Sequence, residues 1–183
     1  MERFQLYPDK AIYFLTFSII EWLPVFITAE ACLIITNSLN YCHKHKQLRI
    51  NAFVIMPTHL HFILFDADFD TGRLRQTLMD MRKYTGRQLA AYCDRHMPTA
   101  FGQTLRQTKR ADRTRQFWQQ SRHPVAIDSH AFWRTKIDYL HDNPRRKGLV
   151  TDVTYWRFSS AAYWLLDPPG ESDVILTEIE WVA

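Results

Sequence analysis

One segment, FVIMPTHLHFILF at residues 53–65, constrains the fold more than any other part of the chain. Its Val, Ile, Phe and Leu residues are typical of β-strands. Pro57 and Thr58 interrupt the apolar run once, so the segment is either one bent strand or two separate strands. Because side chains alternate between the two faces of a strand, His59 and His61 point one way and Leu60 points the other.

Two histidines on one strand face have two interpretations. They can form a polar face or two hydrogen-bonded core residues, and they can also present two imidazoles to one divalent metal ion. Buried imidazoles without partners are costly, and the surrounding strand is apolar. His59 and His61 are therefore a candidate metal platform whose remaining ligands must come from elsewhere in the chain.

The rest of the chain alternates strand-like and helix-like segments. Strands are expected at residues 11–20 and 125–127, and helices after Thr28, over residues 70–95 and from 128 or 129 to 142, where Pro144 helps to end the helix. This order predicts an α+β fold, a ferredoxin-like (RRM-like) sandwich with an antiparallel sheet and helices packed on one face. A single domain over residues 1–183 is expected, with its core at about 11–165 and a peripheral tail at 166–183.

Charge and cysteine content narrow the class of protein. The net charge of +4 favours a polyanionic partner. Residues 99–116 carry five basic side chains against one acid (Arg106, Lys109, Arg110, Arg113 and Arg115 against Asp112), and by default such a run is a solvated loop. Three cysteines without CxxC spacing are typical of free thiols in a reducing cytoplasm.

No part of the sequence favours a membrane location. The N-terminus lacks the apolar core of a signal peptide. The apolar stretch at residues 11–27 is interrupted by Glu21 and Pro24, which makes it a poor membrane span. We therefore expect a soluble intracellular protein.

The last predicted helix carries an unusual tyrosine. Helical spacing gives this helix a buried stripe of Trp133, Ile137 and Leu140. Tyr139 lies on another face together with Lys136, three residues earlier, and Asn143, four residues later. That face is either the polar edge of an amphipathic helix or a nucleophile beside a cation and an oxygen ligand.

A tyrosine nucleophile needs assistance because its free pKa is near 10, and a metal held by the histidine pair would polarise a phosphoryl oxygen. The oxygen of Asn143 suits a hard divalent ion. Tyr84 and Tyr92 are rival nucleophiles, but neither has this combination of neighbours.

Several motifs together point to a family. MPTHLHFIL, FWQ at residues 117–119, YLHDNPRRKGLV at 139–150 and the following YWRFSSAAYW occur in this order. Together they resemble the HUH single-tyrosine transposases, particularly the REP-associated tyrosine transposases of bacteria, over residues 11–165. Two departures concern DNA contacts: QSRHPVAID follows FWQ where relatives often have a Tyr and an acid, and the basic segment before FWQ is long.

The resemblance implies a metal-dependent single-stranded DNA endonuclease and strand transferase that acts near hairpins. His59 and His61 would hold Mg²⁺ or Mn²⁺, Asn143 would complete the metal shell, and Tyr139 would form a 5′-phosphotyrosine link. The partner would be single-stranded DNA with a hairpin, either REP-like or a transposon end, bound by a monomer or a homodimer in the bacterial cytoplasm, at the nucleoid. Basic residues expected to contact DNA are Lys136, Arg82, Arg87, Arg106, Arg110, Arg145 and Arg146.

Two alternatives stay open. One is a domesticated hairpin-DNA-binding protein that has lost cleavage activity. The other is a sheet-based RNA-binding module, which predicts exposed aromatics on the sheet where this chain has two histidines.

Overall fold

A four-stranded antiparallel sheet organises the computed structural model, which describes residues 6, 11–107, 116–120 and 124–181. The strands are β1 (Ile12–Ser18), β2 (Leu48–Met56), β3 (His59–Asp66) and β4 (Val125–Ile127), in the spatial order β2-β3-β1-β4. The helices are α1 (Ala29–His45), α2 (Thr71–His96), α3 (Thr99–Gln107), α4 (His130–Arg146) and α5 (Ala161–Leu165), with 3₁₀ turns at Ile20–Trp22 and Val153–Tyr155. Pro57 and Thr58 therefore separate two strands of a hairpin.

Capping side chains start the three long helices. The side chains of Thr28, Asp70 and Ser129 each accept a hydrogen bond from a backbone N–H in the first turn of α1, α2 and α4. The prediction that Pro144 helps to end the last helix at residue 142 is wrong, because Pro144 lies inside α4. The final turn is held by the N–H groups of Lys147 and Leu149, so the missing donor of the proline is tolerated there.

Both faces of the sheet are covered. Alternate strand residues such as Leu15 and Phe62 pack with α1 and α2, whereas Val54 and Ile63 pack with Ile137 of α4 on the opposite side. The expected α+β antiparallel architecture is confirmed; α1 and α2 share one face, but α4 covers the other. The physical reason is that β2 and β3 carry large apolar residues on both of their faces, so each face needs a covering layer.

The segment after residue 98 is partly helical. Residues 99–107, expected to belong to a solvated loop, form α3, whose Leu105 is buried in the core with α2. Arg106 of this helix forms an ion pair with Asp94 of α2, with Nη1 3.1 Å from Oδ1. Lys109, Arg110, Arg113 and Arg115 lie outside the described residues.

The C-terminal segment, expected to be peripheral, packs along the outer edge of β2. The N–H of Thr177 donates to the Ile50 carbonyl (2.8 Å), and Asn51 Nδ2 donates to the Thr177 carbonyl (3.0 Å). Asn51 is free to do this because the register shifts between Ile50 and Ala52, which takes it out of the ladder. Its Oδ1 accepts from Trp133 Nε1 of α4 (2.7 Å). The tail thus covers part of an exposed strand edge.

Two further expectations concern cysteines and membranes. Cys32, Cys42 and Cys93 are all buried free thiols. Across the described part of the chain, no helix combines the length and apolarity needed to cross a bilayer.

Candidate active site

The histidine pair lies in the middle of the sheet. His61 stands opposite Thr16 of β1 and Val54 of β2, and His59 stands one step nearer the hairpin turn, opposite Ser18. The two imidazole rings have centroids 4.9 Å apart and belong to the sheet face that α4 covers.

Each imidazole is oriented by a threonine. His61 Nδ1 lies 2.8 Å from Thr16 Oγ1, and His59 Nδ1 lies 3.0 Å from Thr58 Oγ1. The Nε2 atom of His61 is buried and has no hydrogen-bond partner. A buried polar atom left unpaired costs about 1–3 kcal/mol, so this nitrogen is suited to a ligand that the protein itself does not provide. Metal-binding histidines are typically held in this way, with the second ring nitrogen bonded to a protein group.

Both imidazoles are neutral at physiological pH, the state in which histidine binds a metal. Burial, followed by the charge of Lys147, lowers the pKa of His59 to about 4. Burial, followed by the charges of His59 and Lys136, lowers the pKa of His61 to about 3. The charges of two lysines of the α4 region, Lys136 and Lys147, therefore reach the pair.

Tyr139 is the α4 side chain that lies beside the pair. Its ring centroid is 5.6 Å from that of His61 and 6.1 Å from that of Phe14, and its side chain is 41% exposed. Phe14 in turn stacks on His61 at 5.2 Å. The guanidinium of Arg146 lies 5.5 Å from the tyrosine ring, a cation–π contact that restricts the phenol. The phenol is thus held next to His61 while remaining open to a substrate.

The helix that carries Tyr139 is fastened to the sheet. His141 Nε2 lies 2.8 Å from Ser160 Oγ, which accepts a hydrogen bond from the backbone N–H of Phe53 in β2 (3.0 Å). Burial lowers the pKa of His141 to about 4, consistent with a neutral structural imidazole. Together with the bond between Trp133 and Asn51, this contact fixes α4 over the sheet.

Asn143 is close to Tyr139 as the helical spacing predicts. It is buried, and its Nδ2 donates to the Tyr139 carbonyl at 2.8 Å, which leaves the side-chain oxygen for another partner. Among the residues that the structure describes, no group of three or more His, Cys, Asp and Glu side chains could hold a metal ion. The two imidazoles would supply two ligands to a metal ion, so further ligands would have to be oxygens of Asn143, water or the substrate.

The residues expected to contact DNA fall into different places. Lys136 lies beside the site, with Nζ 5.2 Å from the centroid of the Phe14 ring. Arg145 and Arg146 are exposed near the end of α4, although Arg145 is paired with Asp142.

Two other arginines lie on the far helix. Arg82 of α2 donates to the Gln119 carbonyl (2.6 Å) and covers the Phe17 ring, on the sheet face opposite the histidines. It therefore braces the FWQ segment. Arg87 is exposed on the same helix, while Arg106 is paired as described above and Arg110 lies outside the described residues.

The rival tyrosines are both on α2. Tyr92 is engaged through its hydroxyl with Thr28 Oγ1 at 2.8 Å, and Tyr84 is 50% exposed. Because α2 packs on the opposite face, neither rival is next to the pair, whereas Tyr139 is.

Comparisons with known proteins are consistent with this architecture. No protein-family model and no curated protein matches the chain. A solved structure of a REP-associated tyrosine transposase bound to a REP hairpin is similar to it, with a TM-score of 0.60 and 20% sequence identity over 100% of both chains. The shared feature is the fold.

Sequence patterns missed three residues of the site. Phe14 could have been found from strand periodicity, because it lies two residues before Thr16 in β1 and its side chain therefore points to the same face of the sheet. Lys147 follows two arginines and reads from sequence as one more exposed cation. Trp22, whose ring lies 5.9 Å from that of His59, has no sequence signal at all.

Proposed function

We propose that this protein is a metal-dependent single-stranded DNA endonuclease and strand transferase, a transposase acting near DNA hairpins through a 5′-phosphotyrosine intermediate. The observation that carries the proposal is the position of Tyr139, partly exposed and with its ring 5.6 Å from that of His61. The hairpin-bound transposase that shares the fold supports the choice of DNA substrate.

In the proposed reaction, the Tyr139 oxygen loses its proton and attacks the scissile phosphorus. A bond from phosphorus to the tyrosine oxygen forms, and the bond from phosphorus to the 3′ oxygen of the neighbouring nucleotide breaks. The leaving 3′ oxygen takes up a proton and becomes a free 3′-OH, while the 5′ end of the DNA stays on Tyr139. Strand transfer is the reverse reaction with another 3′-OH.

The chain's own residues would bind and orient the DNA. Lys136 and Arg146 lie on either side of Tyr139 in α4, where they can offset phosphate charge. His59 and His61 would hold Mg²⁺ or Mn²⁺ through their Nε2 atoms, with an oxygen from Asn143 as a further ligand. When bound, the cation supplies Lewis-acid polarisation of a phosphoryl oxygen.

A denaturing gel tests the proposal. Radiolabelled single-stranded hairpin DNA is incubated with the protein and Mn²⁺ or Mg²⁺. We expect a covalent protein–DNA adduct that disappears with Tyr139→Phe and with EDTA. Tyr84→Phe is the matched control, because it removes the hydroxyl of another exposed tyrosine on the other side of the sheet (50% exposed, against 41% for Tyr139). An adduct that survives Tyr139→Phe would refute the assignment of the nucleophile.

The adduct assay also distinguishes the active enzyme from a protein that binds hairpin DNA without cleaving it. A domesticated hairpin-binding protein would shift the same DNA on a native gel but give no adduct with any hairpin of a broad panel. The position of Tyr139 beside His61, with Asn143 one helical turn further along α4, supports the active enzyme over this alternative.

A further inference from the structure

Trp22 is a large apolar side chain placed in solvent beside the histidine pair. Its indole is 51% exposed and meets the His59 ring edge-on, with centroids 5.9 Å apart and planes at 82°. It lies in the 3₁₀ turn that follows β1, on a different element from Tyr139. The His59 imidazole thus has a solvent-facing aromatic ring on one side and His61 on the other.

The backbone holds Trp22 there at an energetic cost. Glu21 and Trp22 have φ angles of 50° and 53°, the left-handed region that glycine prefers. For residues with a side chain this conformation is unfavourable, because Cβ comes too close to the following carbonyl oxygen. Two successive residues of this kind, one of them a tryptophan, are rare in turns and typical of functional sites.

Neighbouring hydrogen bonds fix the strained turn. The N–H of Ile19 donates to the Thr58 carbonyl (3.0 Å), and the N–H of Ile20 donates to the Phe117 carbonyl (2.8 Å). The Trp22 N–H donates to the Ile19 carbonyl (3.1 Å). The turn is therefore tied to the β2–β3 hairpin, next to His59. Because the backbone that carries the indole is already fixed, less entropy is lost when a flat partner stacks on the ring.

We propose that Trp22 is a stacking platform for an unpaired base adjoining the phosphate that the histidine pair receives. This inference rests on the proposed function, because that function places the phosphate at the histidine pair. The chemistry of the site favours a base as the partner, because exposed aromatics with cations nearby are the elements that bind single strands. Lys147 is an exposed cation at the C-terminal end of α4, the helix that covers the face of the sheet carrying His59.

Stacking distinguishes single-stranded from duplex DNA. A base inside a duplex is already stacked on both faces, so only an unpaired base can use Trp22. Since every base has a π-face, the platform would contribute affinity and position with little sequence preference.

Binding to a fluorescently labelled oligothymidylate, measured by anisotropy in EDTA, tests the platform without requiring cleavage. We expect Trp22→Ala to bind about tenfold more weakly, the order expected for the loss of one stacked base. Trp22→Phe keeps an aromatic face and should retain most of the affinity. Tyr41→Ala is the matched control: Tyr41 is 57% exposed and packs on His45 at 4.6 Å, but it belongs to α1 on the opposite face.

A second measurement uses the unaltered protein. An oligonucleotide containing 5-iodouracil cross-links on irradiation to aromatic rings that stack on the modified base, and mass spectrometry should place the cross-link at Trp22. Trp22→Ala binding within twofold of the unaltered protein, no binding of the unaltered protein, or cross-links only elsewhere would each overturn the platform. The Tyr139-dependent adduct is read separately: weakened binding without any adduct refutes cleavage alone, and an adduct with unchanged Trp22→Ala binding refutes the platform alone.

Discussion

The hydroxyl of Thr16 should set the metal affinity of His61. If His61 Nε2 binds the ion, its Nδ1 carries the proton and donates to Thr16 Oγ1 across the 2.8 Å contact. Thr16→Val removes this acceptor while almost conserving side-chain volume. The stacked Phe14 ring, 5.2 Å away, restricts reorientation of the imidazole toward another acceptor.

Two considerations give the expected loss of metal affinity in Thr16→Val. A buried donor left without a partner costs about 1–3 kcal/mol. Loss of a hydrogen-bond partner behind a metal ligand weakens metal binding by about 10- to 100-fold, which corresponds to about 1.4–2.7 kcal/mol. The two ranges overlap, so we expect Thr16→Val to weaken Mn²⁺ binding by at least about tenfold.

Titration of Mn²⁺, followed by the electron paramagnetic resonance signal of the free ion, measures this affinity. Thr16→Ser is the control that keeps the hydroxyl and should bind nearly as the unaltered protein does. Thr58→Val should have a smaller effect, because His59 is less buried than His61 and water can replace the lost partner. Equal Mn²⁺ affinities for Thr16→Val and the unaltered protein would refute the reasoning.

Two predictions concern stability. Asp66 is buried; burial alone would raise its pKa, but hydrogen bonds from Arg73 and two backbone N–H groups hold that pKa below its usual range. The stabilisation that ionised Asp66 provides is therefore present above about pH 4 and is lost as the pH falls further. Asp66→Asn should lower the unfolding free energy by about 2 kcal/mol at pH 7. In urea titrations at different pH values, the variant should also lose less stability than the unaltered protein when the pH falls below about 4. Asn51→Leu should cost about 2–4 kcal/mol in the same titrations, because the N–H of Trp133 and the carbonyl of Thr177 lose their partner. A loss below 1 kcal/mol would contradict the bridging role of Asn51.

Local patterns predicted the elements well because their causes are local. Runs of apolar residues, helical spacing and the cap at Thr28 predicted the strands of the sheet and the starts of α1 and α2 to within a few residues. The predicted end of the last helix at residue 142 was wrong, because the effect of Pro144 depends on which carbonyls accept hydrogen bonds from the residues that follow it. The contacts of the C-terminal segment could not be predicted because its partners, Ile50 and Asn51, are far away in sequence.

The sequence predicted only part of the site, because the rest depends on contacts between residues that are far apart in the chain. Helical spacing shows that Tyr139 and Asn143 share a face, but not which side of the sheet receives that face. Charge alone could not separate Arg82, which braces FWQ on the far side, from Lys147, which lies near His59. The position of Trp22 depends on a turn in which Glu21 and Trp22 both have left-handed backbone angles. Neither residue is a glycine, so no sequence pattern predicts this turn.

The fastening of α4 has a consequence for how copies of the protein cooperate. His141 and Trp133 attach the helix to β2 of the same chain, so we expect the histidines and the tyrosine of one site to come from one molecule. We therefore expect adduct formation to rise linearly with protein concentration. A mixture of His61→Ala and Tyr139→Phe proteins should remain inactive, since neither copy can lend its intact half to the other.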